Sequence, residues 1–485
     1  MHRTLQGEDK MTGSMWKGVA VLLLCAGFSF FLSYRIRQDA HGAIRMVDFG
    51  AIYYGARCGM RNIDPYNPSA VFGEFRAEGG RFPTNPLIAK EILIGVTNCI
   101  YLPSALFLVI PFAMLPWGVA QTLWVVLMAG LLVLAASLMW DLGANAAPAV
   151  WVCLSGIILA NCEVLFVAGN AAGIAVSLCV IAVWCFISER YAPAGVLLLA
   201  VSLVLKPHDA GFVWLYFLLA GEAVRKRALH TLAVAVVVGL LAAIWITPSS
   251  PHWMQELHRN VAIELVHGGI SDPGLSGMTS RQTGSIIDLQ AAISIFRDDP
   301  SFYNIVSYLV SGSLILIWTF GVLRRHASPG SARLALAAIS VLSLLPVYHR
   351  PYDAKLLMLT LPACAMLWAE RGMRRWIALA LTSAGVLATS DIPLALYYAS
   401  TQKLFISTTT LVGKMMAVLL FTPAPLVLLA LGCFYLWAFL RYNPPQANLP
   451  LAEKDGAAAD AGRAAVQVLP MQAAPPLQPE PLERL

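Results

Sequence analysis

The sequence predicts an all-α, polytopic integral membrane protein. Of its 485 residues, 58% are hydrophobic and 12% are charged, and the mean hydropathy is +0.68. Soluble domains average about 25% charged residues, so this chain has roughly half the expected charge. Apolar runs of about 15 to 25 residues recur from Trp16 to Leu440, which is the length a helix needs to cross a bilayer.

The net charge of +6 does not indicate a nucleic-acid-binding protein, because the basic residues form short clusters between apolar runs. Cytoplasmic turns of membrane proteins are enriched in Lys and Arg, so these clusters mark the cytoplasmic side. The clusters are Arg225-Lys226-Arg227, Arg324-Arg325, and Arg371 with Arg374-Arg375.

The chain is predicted to begin with a polar cytoplasmic segment, residues 1–15. Gly18 to Tyr34 then forms the first span, a retained signal anchor, since no small-residue cleavage site follows it. Residues 35–100 are the first long polar region, and Asp64-Pro65-Tyr66-Asn67-Pro68 is a strong turn signal within it.

The later apolar runs predict the remaining helices, with a second long polar region at 247–302. The runs are Tyr101–Leu115, Trp117–Met139, Pro148–Val167, Ala171–Ile187, Ala192–Leu205, Gly211–Leu219, Leu229–Ile246, Tyr303–Leu323, Leu334–Leu345, Ala354–Trp368, Trp376–Leu387 and Leu411–Leu440.

If every run crossed the membrane, the basic cluster at 225–227 would lie outside. The short, proline-broken run Tyr101–Leu115 is therefore predicted not to cross. About 12 crossings remain (range 11–13), with both termini cytoplasmic and the loops 35–100 and 247–302 extracytoplasmic. The transmembrane domain is residues 16–440, and the Pro/Ala-rich tail 441–485 is predicted to be disordered.

This topology brings several ionisable residues to the outer face, which indicates a site. Lys206 ends an apolar run, either as a snorkelling lysine or as a cation that binds a phosphate together with His208. The turn from Tyr348 to Lys355 offers Arg350 for bidentate phosphate contact and His349 for proton transfer. The alternative for this turn is an Arg–Asp ion pair that caps it.

Other polar residues have weaker signals. The histidines of the 247–302 loop match no metal template, and its first half is either a recognition loop or an amphipathic interfacial helix. Glu163, within an apolar run, is either functional or a buried structural residue. The nine cysteines contain no CxxC spacing, so neither a metal site nor redox chemistry is predicted, although Cys58 and Cys99 could pair.

The motifs taken together resemble glycosyltransferase family 87, in the GT-C superfamily, over residues 16–440. Gly169-Asn170 stands where such proteins often carry Gly-Gln. The other matching motifs are Asp48 with Tyr53-Tyr54, Asp64-Pro65-Tyr66, Tyr101-x-Pro103 with Pro111 and Trp124, Lys206-Pro207, and Tyr348-His349-Arg350.

The resemblance implies transfer of a sugar, typically mannose, from a polyprenyl-phosphate carrier to a glycolipid or glycan acceptor outside the plasma membrane. It implies inversion with Asp48 as general base, and a metal is not necessarily required; no cofactor is predicted. Nearby cations are expected to keep the pKa of Asp48 low enough for it to stay ionised. Lys206, His208, His349 and Arg350 would bind the donor phosphate. The further substrate-binding candidates are Tyr53, Tyr54, Asp64, Tyr66, Asn170, Tyr352, Asp353 and Lys355.

The alternative function is a transporter or flippase for a polyprenyl-linked or polar solute. Transporters place polar residues near the bilayer midplane and often contain repeats. In this chain the ionisable residues gather at one face, which favours surface chemistry.

Overall fold

A computed structural model describes residues 46–80, 86–143, 146–277, 285–325, 328–370, 372–391 and 410–443. The regular secondary structure of these ranges is helical, in agreement with the predicted class. One compact unit extends to Tyr442, and of the second, Asn443–Leu485, only Asn443 is described. The predicted N-terminal segment, the first span and the tail beyond Asn443 lie outside the described residues.

The first polar region is helical, whereas the sequence indicated a loop. It contains α1 (Val47–Met60), α2 (Pro68–Ala77) and α3 (Pro86–Thr97). Nearly all of α1 is buried, because its small and aromatic side chains pack on several sides. The predicted turn is confirmed: the Asn67 side chain accepts a hydrogen bond from the Ser69 N–H at 3.0 Å and caps α2.

The next eight helices carry the chain to the second polar region. Helix α4 has 11 residues, so at 1.5 Å per residue it is about 16 Å long, roughly half the hydrocarbon core. Its predicted failure to cross the membrane stays a prediction. The helices are α4 (Pro103–Ala113), α5 (Trp117–Gly143), α6 (Pro148–Ala160), α7 (Glu163–Ala168), α8 (Ala172–Ile187), α9 (Ala192–Leu205), α10 (Pro207–Leu219) and α11 (Glu222–Ile246).

The second half is also helical, and the predicted run Leu411–Leu440 is two helices. The break falls at Thr422, because the residue before a proline disfavours the helical conformation. These elements are α12 (Trp253–Leu265), α13 (Leu289–Ser294), α14 (Pro300–Arg324), α15 (Pro329–Leu342), a 3₁₀ helix (Asp353–Thr360), α16 (Leu361–Ala369), α17 (Met373–Ala388), α18 (Leu411–Phe421) and α19 (Pro423–Arg441).

Five helical segments within the described ranges are long and apolar enough to cross a membrane. They are α5, the segment Pro148–Ala168 that contains α6 and α7, α11, α14 and α19. Helices α4, α8, α9, α15 and α18 are apolar but shorter. The number of twelve crossings stays a prediction.

Helix α8 lies at the centre of the fold. Every residue from Ala172 to Phe186 is buried, and the helix packs against α5, α9 and the 3₁₀ helix. An apolar helix without a polar face is typical of such a position. The loop before α8 and the loops at the ends of α9 and α15 supply the polar side chains described below.

The pairing of Cys58 with Cys99 was not found. Both are buried free thiols. Burial raises the pKa of each thiol to about 12, so both are protonated at neutral pH and contribute to the apolar packing of α1.

Candidate active site

A cavity of about 440 Å³ lies between α1, α3, α7, α12 and the turn that follows α15. The charged side chains in its wall are those of Asp48, Glu163, Glu264 and Arg350. Its volume falls in the range typical of small-molecule sites. The neutral polar lining residues are Asn98, Tyr101, Asn170, Ser271, Tyr348 and Tyr352.

Asp48 lies in the first turn of α1, where the positive end of the helix dipole favours an anion. The Met46 N–H, just before the helix, donates to the Val167 carbonyl at 2.8 Å and fixes the start of α1 against α7. The Asn170 amide donates to Asp48 Oδ2 at 2.6 Å. Asp48 itself lines the cavity.

Gly169 allows Asn170 to approach Asp48. Its φ of +65° is in the left-handed region, which glycine adopts without strain. A Cβ at Gly169 would lie 2.9 Å from the Cβ atoms of Met46 and Phe49. The Gly169 carbonyl also accepts a hydrogen bond from Trp124 at 2.9 Å. The close contact between α7 and α1 therefore requires a residue at position 169 that has no side chain and adopts the left-handed backbone conformation.

Burial raises the pKa of Asp48 above its ordinary value. The hydrogen bond from Asn170 and the positive charges of Arg350 and Lys206 act in the opposite direction. The expectation that the cations keep this pKa low is therefore corrected, because desolvation outweighs them. A base with a raised pKa takes up a proton more readily, which suits general base work.

Lys206 lies behind Asn170, outside the cavity wall. Its ammonium group is 3.4 Å from Asn170 Oδ1, forms an ion pair with Asp353 and is 3.4 Å from Asp209 Oδ2. Its side chain is 11% exposed and lies 5.0 Å from the centre of the Tyr352 ring. The predicted direct contact with a phosphate does not fit this placement, because two carboxylates already surround the ammonium group.

Arg350 is the cation of the cavity wall. Its backbone N–H donates to Asp353 Oδ2 at 2.8 Å, and its side chain donates to the Tyr348 hydroxyl. The carboxylate of Asp353 pairs with Lys206 and caps the turn through the backbone, so an Arg350–Asp353 side-chain ion pair is not the observed arrangement. The turn thus places Arg350 in the cavity wall, with its side chain against Tyr348.

His349 is fully buried, and neither it nor His208 lines the cavity. His349 Nδ1 lies 2.8 Å from the Val347 carbonyl, so this nitrogen is the donor, and Nε2 faces Asp209 Oδ1 at 3.6 Å. His208 Nε2 lies 3.7 Å from the same oxygen. His208 belongs to a separate apolar groove of about 420 Å³ between α9, α10 and α11. Both histidines therefore depart from the predicted phosphate contacts.

The same three side chains could hold a metal ion. The ligand atoms of His208, Asp209 and His349 lie within 4.8 Å of one another, although the sequence predicted no metal. Lys206 already supplies a positive charge 3.4 Å from the second oxygen of Asp209.

The first-region substrate candidates lie away from the cavity. Tyr53 and Tyr54 are buried and pack edge to face against each other. Tyr66 is buried and its hydroxyl donates to the Tyr101 carbonyl at 2.9 Å, while Asp64 accepts from the Tyr66 N–H at 2.9 Å. Tyr66 thus supports the backbone at Tyr101, whereas the Tyr53 hydroxyl donates to the Leu115 carbonyl at 2.7 Å. None of the four residues lines the cavity.

Of the substrate-binding candidates in the turn after α15, one lines the cavity and two do not. Tyr352 lines the cavity, whereas Asp353 lies behind it with Lys206. The Lys355 ammonium group donates to the Asn161 carbonyl at the end of α6, where the negative end of the helix dipole favours a cation. Lys355 therefore joins α6 to the 3₁₀ helix and does not line the cavity.

Six polar or charged residues of the cavity wall were not among the predicted site residues: Asn98, Tyr101, Glu163, Glu264, Ser271 and Tyr348. Tyr101 donates to the Asp48 carbonyl at 3.3 Å, and Asn98, Glu264 and Ser271 form a hydrogen-bonded group. Tyr101 belongs to the Tyr101-x-Pro103 motif, so the sequence did contain a signal for this residue. The first half of the 247–302 loop was left open between a recognition loop and an amphipathic helix. It forms helix α12, and nothing in its pattern indicated that the polar residue Glu264 would be buried.

A helical membrane protein whose cavity combines three carboxylates, amides, hydroxyls and one guanidinium group is equipped to act on a polar substrate. A family model described as glycosyltransferase family 87 matches residues 100–347, just over half of the chain.

The chain belongs to glycosyltransferase family 87, which confirms the resemblance seen in the sequence and identifies a membrane glycosyltransferase. Asn170, Lys206 and Glu264 lie inside the matched region, whereas Asp48 and Arg350 lie outside it. No curated protein and no solved structure matches the chain.

Proposed function

We propose that the protein transfers a hexose, mannose by resemblance to the family, from a polyprenyl-phosphate donor to a hydroxyl of a glycolipid or glycan. The observation that carries the proposal is one cavity that holds both Asp48 and Arg350. A carboxylate and a cation are the two groups that such a transfer needs: one takes the acceptor proton and the other stabilises the leaving phosphate.

Asp48 removes the proton of the acceptor hydroxyl as the oxygen attacks the anomeric carbon. The bond between this carbon and the phosphate oxygen breaks from the opposite face, and its electron pair leaves with the polyprenyl phosphate. A single displacement of this kind inverts the anomeric configuration. Desolvation raises the pKa of Asp48, which makes it a stronger base than an exposed aspartate.

Arg350 stabilises the charge that develops on the phosphate. A guanidinium group presents a planar fork that matches phosphate oxygens, and a cation fixed before the reaction favours the transition state over the ground state. Lys206 is a positioning residue in this proposal. It holds Asn170 on one side and Asp353 on the other, and through them it orients Asp48 and the Arg350 turn.

The polyprenyl chain approaches through the apolar part of the cavity wall. Val164 and Val167 of α7 line this part, and Val167 is 40% exposed. Helix α7 ends a candidate membrane-spanning segment, so a lipid that stays in the bilayer can bring its phosphate to Arg350 from this side. The proposed location is the outer face of the plasma membrane, as the distribution of basic clusters suggests.

The test is transfer of labelled mannose from polyprenyl-phosphate-mannose to alkyl glycoside acceptors by the purified protein. The variant Asp48→Asn keeps the size of the side chain but removes its basicity, so the expected kcat falls about 100- to 10,000-fold, the usual contribution of a general base. Asp64→Asn is the matched control, because Asp64 does not line the cavity, and it should retain activity.

Two outcomes would contradict the proposal. Full activity of Asp48→Asn would remove Asp48 from the role of base. Movement of the lipid-linked sugar across proteoliposomes without a new glycosidic bond would instead support a flippase.

A further inference from the structure

Glu264 of α12 is a second buried carboxylate in the cavity wall, 7% exposed. Its Oε1 accepts from the Asn98 amide at 3.1 Å, and its Oε2 accepts from the Ser271 hydroxyl at 3.2 Å. A carboxylate has about four lone-pair positions, so these two bonds leave positions for a ligand. Asn98 and Ser271 line the same cavity.

The helix that carries Glu264 is firmly attached to the rest of the site. The Asn260 amide donates to the Tyr66 and Cys99 carbonyls at 3.0 and 3.1 Å. The Asn98 amide donates to the Asn260 carbonyl at 3.0 Å as well as to Glu264. This network fixes the carboxylate before any ligand binds, which lowers the entropic cost of binding.

Glu264 belongs to the part of the cavity wall that the second long polar region supplies. Glu264 and Ser271 belong to the long polar region between α11 and α14, whereas Val164 and Val167 lie on α7, which ends a candidate membrane-spanning segment. In the proposed function the donor lipid uses the apolar part. The acceptor is therefore expected on the polar side, next to Glu264.

We propose that Asn98, Glu264 and Ser271 form an acceptor subsite that binds the non-reacting hydroxyls of a sugar ring. The inference rests on the proposed function and adds the class of acceptor: a glycoside with free ring hydroxyls. The Glu264 carboxylate accepts hydrogen bonds from these hydroxyls, while Asp48 takes the proton of the reacting one. A site built to pair hydroxyl groups discriminates strongly against analogues that lack them.

The carboxylate of Glu264 also makes acceptor binding depend on pH. Burial is the main cause that raises its pKa to about 7, and the negative charge of Asp48 acts in the same direction. The hydrogen bonds from Asn98 and Ser271 and the positive charge of Arg350 act in the opposite direction. Above pH 7 the ionised group accepts from two hydroxyls, and below pH 7 the bound proton removes part of this capacity. The acceptor KM is therefore expected to rise as the pH falls through about 7.

The experiment measures the acceptor KM and kcat of the full-length protein with polyprenyl-phosphate-mannose as donor. The acceptors are octyl glucoside, galactoside and mannoside, and then the deoxy analogues of the best of them. For Glu264→Gln we expect an acceptor KM about 10- to 100-fold higher with kcat changed less, and a flat pH profile of KM between 6 and 8. Ser271→Ala should raise KM by a smaller factor.

The matched control is Glu256→Gln on the same helix, outside the cavity wall and bonded to Ser250 at 2.7 Å. It should leave KM and its pH profile unchanged. Thermal unfolding of each variant shows whether it folds, and if Glu264→Gln does not fold, Ser271→Ala and the deoxy series decide.

The remaining outcomes distinguish a failure of the acceptor subsite from a failure of the proposed function. Unchanged acceptor KM in Glu264→Gln and Ser271→Ala, with normal transfer by the wild type, would overturn the subsite alone. Donor hydrolysis without transfer to any of the three glycosides would also overturn it. The absence of both transfer and donor hydrolysis would contradict the proposed function itself.

Discussion

Asn170 is the residue that connects the two charged parts of the site. Its amide group donates to Asp48 and its oxygen faces Lys206, so one side chain orients the proposed base and contacts the buried cation behind it. The oxygen also accepts from the Ala172 N–H at 2.9 Å, which fixes the orientation of the amide.

We expect Asn170→Ala to lower kcat/KM about 10- to 100-fold, because a hydrogen bond to a charged group contributes about 1.5–3 kcal/mol. Asn170→Gln is the matched variant, since it restores an amide at the same position, and it should recover a large part of the loss. The measurement is transfer of labelled mannose with each variant. Equal activity of Asn170→Ala and the wild type would show that the contact does not orient Asp48.

The buried charges around Lys206 show why the type of a residue was not enough to predict its role in the site. In the sequence, Lys206 and His349 are cations on the outer face, which suits phosphate binding. In the structure, Asp353 and Asp209 pair with Lys206, because a buried ammonium group needs nearby anions. Nothing in the spacing of the motifs indicates that Asp209 and Asp353 would converge on one lysine.

At the scale of elements, the contact between α7 and α1 positions the site. Helix α7 has only six residues and ends at Gly169, which turns the chain toward Asn170. The Met46–Val167 hydrogen bond attaches the start of α1 to the same element. The base and its orienting amide are therefore held by one tight junction.

We expect Gly169→Ala to destabilise the protein by about 1–3 kcal/mol and to lower activity further than stability alone explains. The new Cβ would clash with Met46 and Phe49, and the left-handed conformation would be strained. Gly130→Ala in α5 is the matched control, because open space surrounds Gly130. Thermal unfolding measures the stability of both variants, and the transfer assay measures their activity. An unfolding temperature for Gly169→Ala equal to that of the wild type would contradict the need for glycine.

The elements that hydropathy predicted well are those that are apolar throughout. Helices α5, α11 and α14 match their predicted runs to within a few residues at one or both ends. Helix α1 was missed because its pattern of Gly, Ala and Tyr residues is too polar for a span and lies inside a region rich in turn signals. Helix α12 was left open between loop and amphipathic helix, since periodicity alone did not show what its polar face contacts.

At the scale of the whole molecule, the family and the membrane class could be read from the sequence, and the cavity could not. Asp48, Asn170 and Arg350 come from three distant segments, and their meeting depends on how α1, α7 and the turn after α15 pack. The sequence predicted these three residues as part of the site, but it predicted ten other residues with them. Packing alone separates the cavity wall from residues such as Tyr66, Lys206 and Lys355, which lie behind it or in the core.

The central claim is that sugar transfer takes place in the cavity between Asp48 and Arg350. The most direct measurement is an experimental structure with a non-hydrolysable phosphonate analogue of polyprenyl-phosphate-mannose. The account predicts the phosphonate against the Arg350 guanidinium group and the sugar between it and Asp48, with the lipid leaving past α7. A phosphonate bound at His208 in the groove between α9, α10 and α11, with the cavity empty, would contradict it.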